Sequence, residues 1–438
     1  MNTKQSQSGD GHRVCVIGAG YVGLPTAAIL ARRGHSVVLA ERDPKRLESL
    51  QRGEVPIFEP GLDAMLAEAV EAGRLRFTSS AAQAVVDQDF VFLCVATPQG
   101  DDGAADLSYV KAAATEIGPH LARGAIVINK STVPVGTVGL VERVLGRDDV
   151  AVVSNPEFLR EGTAVADSLS PDRIVVGSHD PRAATAVAEL FGSSGAAMVI
   201  TDPTTAETIK YASNAFLATK ITFINSMAAV CEAVGADVRD LVLGMGFDKR
   251  IGFEFLRPGP GWGGSCFPKD TSALVHIAAE HGFDFSLLRA AIECNEEQMD
   301  RMVDKMAAAA GGLDGVTVAV WGLTFKANTD DRRSSPATAI VARLLSRGAI
   351  VRAYDPTVSS ADTTTPDLAG VEVFDDAIEA TRGAAVLGLL TEWQEFRWVD
   401  FDKVAELMAS PSIVDARNLL DPKAIRRHGF TYEGIGRT

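Results

Sequence analysis

The sequence predicts an α/β fold in which two Rossmann-like, doubly wound domains are joined by a central long helix and a helical domain. Strand-like apolar runs alternate with helical stretches near both ends of the chain, at residues 13–41 and 315–355. Between them, a helical pattern with few helix breakers extends from about residue 203 to 233. The chain has 438 residues, which is too many for a single hydrophobic core.

The domain boundaries follow from these changes in pattern. Residues 1–12 are polar and lack an apolar stretch, so they predict a disordered tail and no targeting segment. The domains predicted after this tail are a Rossmann domain at 13–200, a helical domain at 201–310 and a second Rossmann-like domain at 311–438.

Composition is typical of a globular protein from a reducing compartment. The net charge of −15 argues against a nucleic-acid-binding surface, and no apolar run approaches the length of a membrane span. The five cysteines show no paired spacing and no secretory signal precedes them, so we expect no disulfide framework and a cytoplasmic location. We therefore expect neither nucleic acid nor a membrane as a partner, and no metal.

The first α/β unit contains the glycine pattern of a dinucleotide-binding loop. A strand-like run leads into the hexapeptide GAGYVG at 18–23, and a helical stretch and a second strand follow. In this arrangement Gly18 permits a tight turn, Gly20 lets a pyrophosphate approach the backbone, and Gly23 permits close helix packing. The N-terminus of the helix then faces the phosphates.

A carboxylate at the end of the second strand indicates which dinucleotide binds. Glu41 stands at the spacing expected for the residue that binds the ribose, and a carboxylate repels the 2′-phosphate of NADP. The sequence therefore favours NAD. Arg42 and Arg46 leave two interpretations open, since each could meet a 2′-phosphate or merely cover the adenine or the surface.

Polar residues follow the later strands of the first domain. Thr132, Glu157 and Glu161 lie in such loops. Ligands of doubly wound sheets sit beyond the carboxyl ends of the strands, so these residues are candidates for one cleft, with ordinary solvated loop residues as the alternative. The strands are predicted at 90–95, 125–129, 150–153 and 174–177.

The central helix has two polar residues one turn apart. Lys210 and Asn214 are separated by four positions and therefore share a helix face. If that face meets the loop around Cys266, an ammonium and an amide would point at one reacting oxygen. The alternative for Lys210 is a solvated surface lysine.

A glycine-rich loop in the helical domain brings a thiol close in sequence to an amine and a carboxylate. In GPGWGGSCFPKD at 259–270, the glycines let backbone approach a bound molecule, and Lys269 favours the thiolate of Cys266. Asp270 supplies the carboxylate. The other four cysteines lie in apolar strand or helix patterns that are typical of buried thiols. An incidental loop thiol is the alternative for Cys266.

A second α/β unit begins at 315–322 and continues with a helix that opens at Ser334-Ser335-Pro336 and a strand at 350–355. It lacks the glycine fingerprint, so we expect a different phosphate-bearing ligand, with Lys326 supplying positive charge at the end of its first strand. Later strands are predicted at 385–390 and 412–415.

Two nucleotide-binding ends and a thiol between them indicate hydride transfer with a covalent intermediate. An alcohol dehydrogenase needs no thiol, whereas oxidation beyond the aldehyde is helped by one. A thiolate adds to the carbonyl, the thiohemiacetal loses a second hydride to give a thioester, and water releases the acid.

The chain after the tail resembles the UDP-glucose/GDP-mannose dehydrogenase family. The resemblance implies four-electron oxidation of the primary alcohol of a nucleotide sugar to a uronate, with two NAD per turnover. It implies that the first domain binds NAD, that the central domain holds the catalytic cysteine and a dimer interface, and that the last domain binds the UDP-sugar. It rests on GAGYVG with Glu41, FEPGL at 58–62, Thr97-Pro98, KSTVP at 130–134, NPEFL at 155–159, the helix from Lys210 to Asn225, the Cys266 loop, GLTFK at 322–326 and the Arg417 segment.

The resemblance also implies catalytic roles. Cys266 is similar to the family nucleophile, and Lys210 and Asn214 are similar to the pair that stabilises the oxyanion. Asp270 is similar to the carboxylate that works with an ordered water. Which of Lys210, Asp270 and Glu161 accepts the first proton stays open. The roles of holding water and assisting thioester hydrolysis fall on Thr132 and Glu161.

Binding residues are implied in every domain. Arg250 resembles an arginine that reaches the site of a neighbouring subunit. Cofactor contacts are implied for Gly18, Gly20, Tyr21, Val22, Gly23, Glu41, Arg46, Thr97, Pro98, Thr132, Glu161, Lys269 and Arg332. Substrate contacts are implied for Glu157, Phe158, Leu159, Arg160, Lys210, Asn214, Arg250, Phe255, Arg257, Gly263, Lys326 and Arg417.

The cysteine loop favours one sugar within the family. Ser265 before the thiol and FPKD after it look like the glucose-type members, which implies UDP-glucose as substrate and UDP-glucuronate as product. Trp262 departs from the commoner phenylalanine or tyrosine, and its indole either narrows the pocket, contacts the base or simply packs. dTDP-glucose and GDP-mannose are the alternative substrates. An NAD-retaining epimerase or a silent nucleotide-sugar-binding protein is the alternative of another class.

The central helix also predicts self-association. It is apolar on several faces, and those faces must be buried somewhere. We expect a homodimer or a higher homo-oligomer.

Overall fold

The structure is a computed structural model that describes residues 11–100, 105–362 and 365–437. The chain divides into two compact units, Met1–Ala212 and Ser213–Thr438, and the boundary lies inside the long central helix. Of the predicted tail, residues 1–10 lie outside the described residues. His12 is described, and its ring stacks on that of His35 with the centroids 5.5 Å apart.

An eight-stranded sheet forms the centre of the first unit, with the strand order β3-β2-β1-β4-β5-β6-β7-β8. Neighbouring strands are parallel except for the antiparallel pair β6 and β7. The strands are β1 Arg13–Ile17, β2 Ser36–Ala40, β3 Leu75–Thr78, β4 Phe90–Leu93, β5 Ile126–Asn129, β6 Ala151–Ser154, β7 Arg173–Ser178 and β8 Ala197–Thr201.

Helices cover both faces of this sheet, as right-handed βαβ crossovers require. Alternate residues of β1 show the two layers: Val14 and Val16 belong to one apolar cluster, and Cys15 and Ile17 belong to the other. The helices are α1 Gly23–Arg32, α2 Pro44–Gln51, α3 Leu62–Glu71, α4 Ala81–Ala84, α5 Ser108–Ile117, α6 Thr137–Leu145, α7 Ala164–Leu169, α8 Pro181–Glu189 and the long α9 Pro203–Val234.

The second unit contains a six-stranded parallel sheet with the order β11-β10-β9-β12-β13-β14. Its strands are β9 Thr317–Trp321, β10 Ile350–Tyr354, β11 Val371–Val373, β12 Val386–Leu389, β13 Ser412–Asp415 and β14 Thr431–Gly434. Its helices are α10 Val238–Gly246, α11 Phe267–Glu280, α12 Ser286–Ala310, α13 Pro336–Ser346, α14 Ala377–Ala380, α15 Phe401–Leu407 and α16 Pro422–Arg427.

These two doubly wound sheets confirm the predicted fold class. The order of strands reverses between β1 and β4 in the first sheet and between β9 and β12 in the second. Such switch points leave a crevice at the carboxyl ends of the strands, which is where ligands of this fold class bind. The strands that the sequence did not predict are the edge strands β3, β8, β11 and β14. An edge strand is less buried than a central one, so it does not require a continuous apolar run.

Candidate active site

The glycine loop between β1 and α1 has the geometry of a phosphate cradle. A Cβ on Gly23 would lie 1.9 Å from the carbonyl oxygen of Gly18, and Gly18 itself has a φ of 103°. Gly20, in contrast, has no heavy atom within 4 Å of its Cβ position. Protein atoms therefore pack against Gly18 and Gly23, whereas the space beside Gly20 is open. That space can hold phosphates at the N-terminus of α1.

Glu41 is buried beside this loop, just beyond the carboxyl end of β2. Its carboxylate accepts hydrogen bonds from the N–H groups of Ala19 at 2.9 Å and Asp43 at 2.8 Å. These bonds hold the carboxyl group of Glu41 where the ribose of a dinucleotide lies in this fold. The cradle and the carboxylate together fit NAD.

The two arginines that left the choice of dinucleotide open both have partners within the protein. Arg46 Nη1 lies 4.0 Å from Glu41 Oε2. The guanidinium carbon of Arg42 lies 5.0 Å from the ring centroid of Tyr109. The predicted contact of Arg46 with the cofactor and the choice between the two interpretations stay predictions.

The loops after β4 and β5 are tied together. The hydroxyl of Thr97 donates to the carbonyl of Thr132 at 2.9 Å, and both residues are buried. Pro98, the next residue, accepts from the N–H of Asp106 at 2.8 Å. The structure thus brings Thr97 and Thr132, which the sequence analysis assigned to one site, into direct contact.

A buried ion pair joins α9 to the loop after β6. Lys210 Nζ donates to Glu157 Oε1 at 2.9 Å, and the two side chains are only 4% and 5% exposed. The N–H of Leu159 donates to the other oxygen of Glu157 at 2.6 Å. Burial opposes ionisation of Glu157, but the Lys210 ammonium and the hydrogen bonds outweigh it, so the pKa of Glu157 lies below its usual value. The alternative of a solvated surface lysine is therefore wrong for Lys210.

Aromatic and basic groups surround this ion pair. The ring of Phe158 has the guanidinium carbon of Arg173 at 3.7 Å from its centroid and Lys210 Nζ at 5.4 Å. Glu157, Phe158 and Arg173 line a cavity of about 120 Å³. Arg160, which the sequence analysis assigned to the substrate, forms an ion pair with Asp167 at 2.6 Å and is half exposed.

A second buried carboxylate holds the loop that contains Glu161. Glu59 accepts from the N–H groups of Gly162 and Ala164, each at 2.7 Å. Glu161 is half-buried in this loop, and Ala164 begins α7. In the sequence, Glu59 stands out only as part of the FEPGL motif at 58–62. Its function in positioning was missed because its partners are 103 and 105 residues away.

Glu207 was also missed, although it lies one turn before Lys210 on α9. Its carboxylate accepts from the N–H of Gly136 at 2.6 Å and of Val138 at 3.0 Å, at the N-terminus of α6. It therefore fixes the loop that follows Thr132. Burial raises the pKa of Glu207 from 4.5 to about 7, even though the backbone N–H groups act in the opposite direction. The spacing of three residues from Lys210 was the available signal.

In the second unit, Asp270 organises the polar groups that follow Cys266. Asp270 is fully buried and accepts from Asn214 Nδ2 at 2.6 Å and from Lys269 Nζ at 2.7 Å. The ammonium expected to favour the thiolate thus pairs with a carboxylate. Cys266 directly precedes α11, and its Sγ lies 3.6 Å from Ser265 Oγ. The partial positive charge at a helix N-terminus stabilises a thiolate there.

Predicted substrate residues meet at the carboxyl ends of the second sheet. Arg417 donates through Nε to the carbonyl of Leu390 and through Nη2 to that of Phe325, both at 2.8 Å. Lys326 Nζ lies 5.2 Å from the ring centroid of Phe325. A Cβ on Gly259 would lie 3.2 Å from Arg417 Nη1, so the cysteine loop also reaches this edge.

The rest of the cysteine loop packs closely on its surroundings. A Cβ on Gly263 would lie 2.1 Å from the carbonyl oxygen of Ser334. Phe255 has a positive φ of 62°, and its ring centroid lies 6.2 Å from that of Phe267. Close backbone packing explains why this segment needs glycine at Gly263.

Three predicted arginines do not join these clusters. Arg332 Nε donates to Asp367 Oδ2 at 2.8 Å. Arg250 is 88% exposed and forms an ion pair with Asp248, and Arg257 is exposed. Their predicted contacts with cofactor or substrate stay predictions.

Three domains of one family match this chain in order. They are described as the UDP-glucose/GDP-mannose dehydrogenase family NAD binding domain, central domain and UDP binding domain, and they match residues 12–194, 204–297 and 319–422.

Proteins similar to the chain over nearly its whole length have related names. UDP-glucose 6-dehydrogenase of Rhizobium meliloti (strain 1021) is 47% identical, with 97% of this chain and 99% of that protein covered. UDP-glucose 6-dehydrogenase of Pseudomonas aeruginosa is 44% identical, with 97% of each chain covered. The structure of a UDP-glucose dehydrogenase from Pyrobaculum islandicum has a TM-score of 0.91 and 36% identity, with all of each chain covered.

Alanine substitutions at Gly20 and Gly23 distinguish a glycine needed for ligand binding from a glycine needed for folding. Gly20→Ala adds a methyl group where no protein atom lies, so we expect an unchanged melting temperature and an affinity for NAD lower by roughly tenfold or more. Gly23→Ala forces the turn apart and should destabilise the fold by about 2 kcal/mol or more. Thermal melts and NAD titration by intrinsic fluorescence test both. Wild-type NAD affinity in Gly20→Ala would contradict the cradle.

Glu207→Gln should change how stability depends on pH. The pKa of Glu207 is about 7 in the folded protein, whereas an unfolded glutamate ionises near 4.5. Folding therefore favours the protonated carboxyl group, and the wild type loses stability as the pH rises from about 4.5 through about 7. The loss is on the order of 3 kcal/mol. Glutamine does not ionise, so the melting temperature of the variant relative to wild type should rise between about pH 5 and pH 8.

Glu68→Gln is the matched control for this experiment, because Glu68 is an exposed glutamate on α3. Its melting temperature should follow that of the wild type at every pH. A Glu207→Gln difference that is independent of pH would argue against a raised pKa.

Proposed function

Because this chain belongs to the UDP-glucose/GDP-mannose dehydrogenase family, we propose that it oxidises UDP-glucose to UDP-glucuronate with NAD as the oxidant. The observation that carries the proposal is the cysteine loop, in which Cys266 stands at the N-terminus of α11 and four residues before the buried Asp270. A thiol in this position helps oxidation to continue past the aldehyde, whereas oxidation of an alcohol to the aldehyde requires none.

The cofactor site is assigned to the first unit. The cradle at Gly20 would hold the pyrophosphate, and the Glu41 carboxylate would accept hydrogen bonds from ribose hydroxyls. When bound, NAD supplies the hydride acceptor for each oxidation. Thr97 and Thr132, joined by their hydrogen bond, would close the site at the ends of β4 and β5.

In the first oxidation, the role of Lys210 follows from its ion pair with Glu157. Lys210 Nζ donates to Glu157 Oε1 at 2.9 Å and lowers the pKa of that carboxyl, so we take Lys210 as a proton donor and not as the base. We therefore assign Lys210, with the amide of Asn214, to stabilising negative charge on the reacting oxygen. The proton of the sugar hydroxyl then passes to a carboxylate, either Asp270 or Glu161, directly or through water.

Cys266 acts after the first hydride has left. Its thiolate forms a C–S bond with the aldehyde carbon, and the carbonyl oxygen becomes the oxyanion of a thiohemiacetal. Loss of the second hydride from that carbon gives a thioester. Water adds to the thioester, the C–S bond breaks, and the uronate leaves while the thiolate is restored. Thr132 and Glu161 are assigned to holding and activating this water.

The nucleotide part of the substrate is assigned to the second sheet. The family's UDP binding domain matches residues 319–422, which include Lys326 and Arg417. Their positive charges at the carboxyl ends of β9 and β13 suit a pyrophosphate. GDP-mannose and dTDP-glucose are the substrates that compete with UDP-glucose in this proposal.

The stoichiometry of NADH formation tests the reaction. With UDP-glucose as the limiting substrate, we expect two NADH per sugar, because the alcohol loses four electrons. Initial rates with UDP-glucose, dTDP-glucose, GDP-mannose and UDP-N-acetylglucosamine, followed at the NADH absorbance, rank the substrates. One NADH per sugar refutes the four-electron reaction, and no net NADH with any sugar favours the epimerase.

Two cysteine variants control this experiment. Cys266→Ala should abolish formation of the acid while the protein still folds and binds both nucleotides. Cys294→Ala changes another half-buried thiol, on α12, and should leave the stoichiometry and rate unchanged. Wild-type turnover in Cys266→Ala would remove the thiol from the mechanism.

We further propose that the protein forms a homodimer through α9. Phe216, Phe223 and Val230 are seven residues apart, and their side chains are 65%, 48% and 48% exposed. Among the described helices, α9 alone is long and apolar enough to cross a membrane, and only a third of its most apolar stretch is buried. A seven-residue apolar repeat forms a stripe that a helix of a second copy covers. The exposed Arg250 is available to reach a partner's site.

The double substitution Phe216→Asp/Phe223→Asp should yield a monomer, because two carboxylates cannot be buried in an apolar helix interface. Light scattering after size exclusion measures the mass. Trp398→Asp is the control, since Trp398 is 84% exposed outside the stripe. If the double variant keeps the mass of the wild type, α9 is not the interface.

A further inference from the structure

Trp262 fastens the cysteine loop to two helices. Its indole Nε1 donates to Thr222 Oγ1 on α9 at 2.8 Å. Its backbone N–H donates to Asn295 Oδ1 on α12 at 2.8 Å, and its carbonyl accepts from Asn295 Nδ2 at 3.0 Å. All three residues are buried. A loop residue is thus held through its side chain and through both of its backbone polar groups.

The hydroxyl of Thr222 connects Trp262 to both helices through hydrogen bonds. Its hydroxyl lies 3.0 Å from the carbonyl of Ala218 on α9 and 3.3 Å from that of Ala291 on α12, so it has acceptors for its own proton. Its oxygen remains the acceptor for Trp262. The indole N–H is therefore satisfied inside the protein, and the ring is only 5% exposed. This excludes the interpretation in which the indole N–H contacts the nucleobase.

The indole also reaches the residue that follows the thiol. The ring of Trp262 packs edge-on against Phe267, with the centroids 6.4 Å apart, and Phe267 is the first residue of α11. The intervening Gly264 has a φ of 83° and contributes no side-chain contacts. Glycine backbone is costly to order, so the position of Cys266 depends on contacts of this kind from its neighbours.

We propose that Trp262 and Thr222 are a positioning pair that sets the orientation of Cys266. The proposal rests on the proposed function of Cys266 as the nucleophile. A phenylalanine at 262 has no donor, so the hydroxyl at 222 is required only while the indole is present. The two positions are therefore coupled.

A double-mutant cycle tests this coupling. Thr222→Val keeps the side-chain shape but leaves a buried indole N–H without an acceptor, so we expect kcat and the alkylation rate of Cys266 by iodoacetamide to fall by roughly tenfold. Trp262→Phe alone should have a smaller effect. The double variant should recover most of the loss, because donor and acceptor are removed together. Thr222→Ser keeps the hydroxyl and should resemble the wild type.

The readouts separate positioning from general stability. KM for NAD should be unchanged in all variants, because the dinucleotide cradle belongs to the first unit. Alkylation is measured in a Cys294→Ala background, so that Cys266 is the thiol that reacts. A Thr222→Val variant that melts earlier but is alkylated at the wild-type rate overturns the proposal, as does a double variant no better than Thr222→Val. If the wild type forms no NADH with any nucleotide sugar, the proposed function fails, while the alkylation rates still decide the positioning.

Discussion

The requirement that a polar group buried on the central helix must be paired determines much of both units. An unpaired buried charge or amide costs roughly several kcal/mol, so pairing such groups with loops or with other helices stabilises the fold. Glu207 and Lys210 bond to the loops after β5 and β6, and Asn214 bonds to Asp270. Further along, Thr222 and Asn225 bond to the cysteine loop, at Trp262 and Gly259. One helix thereby fixes several loops that have no regular structure of their own.

The two sheets share one arrangement of hydrogen bonds at the same topological position, where a carboxylate after the second strand of the unit binds the loop after the first strand. In the first sheet, Gly18 donates to the carbonyl of Ala40, and the carboxylate of Glu41 after β2 accepts from the glycine loop. In the second sheet, Gly322 donates to the carbonyl of Tyr354, and the carboxylate of Asp355 after β10 accepts from the N–H groups of Leu323 and Thr324.

The difference between these two sites lies in what surrounds the carboxylate. Asp355 also accepts from the indole N–H of Trp393 and is fully buried, so its carboxylate is occupied by hydrogen bonds from the protein. It cannot serve a ribose in the way proposed for Glu41. This agrees with the proposal that the second sheet binds a nucleotide through basic residues, Lys326 and Arg417, rather than through a glycine fingerprint and an acid.

The sequence by itself determined the fold class, the dinucleotide loop and the family, and it predicted which thiol is the nucleophile, because these depend on local patterns: strand, glycine turn, helix, and the residues next to Cys266. It did not determine the partners of the charged groups. Lys269 precedes Asp270 directly and pairs with it, Glu59 holds a loop about a hundred residues away, and Lys210 is neutralised by Glu157. Those pairings depend on burial and on which loops meet. Only the tertiary structure decides them, since the pairing that avoids an unpaired buried charge is set by contacts between residues distant in the chain.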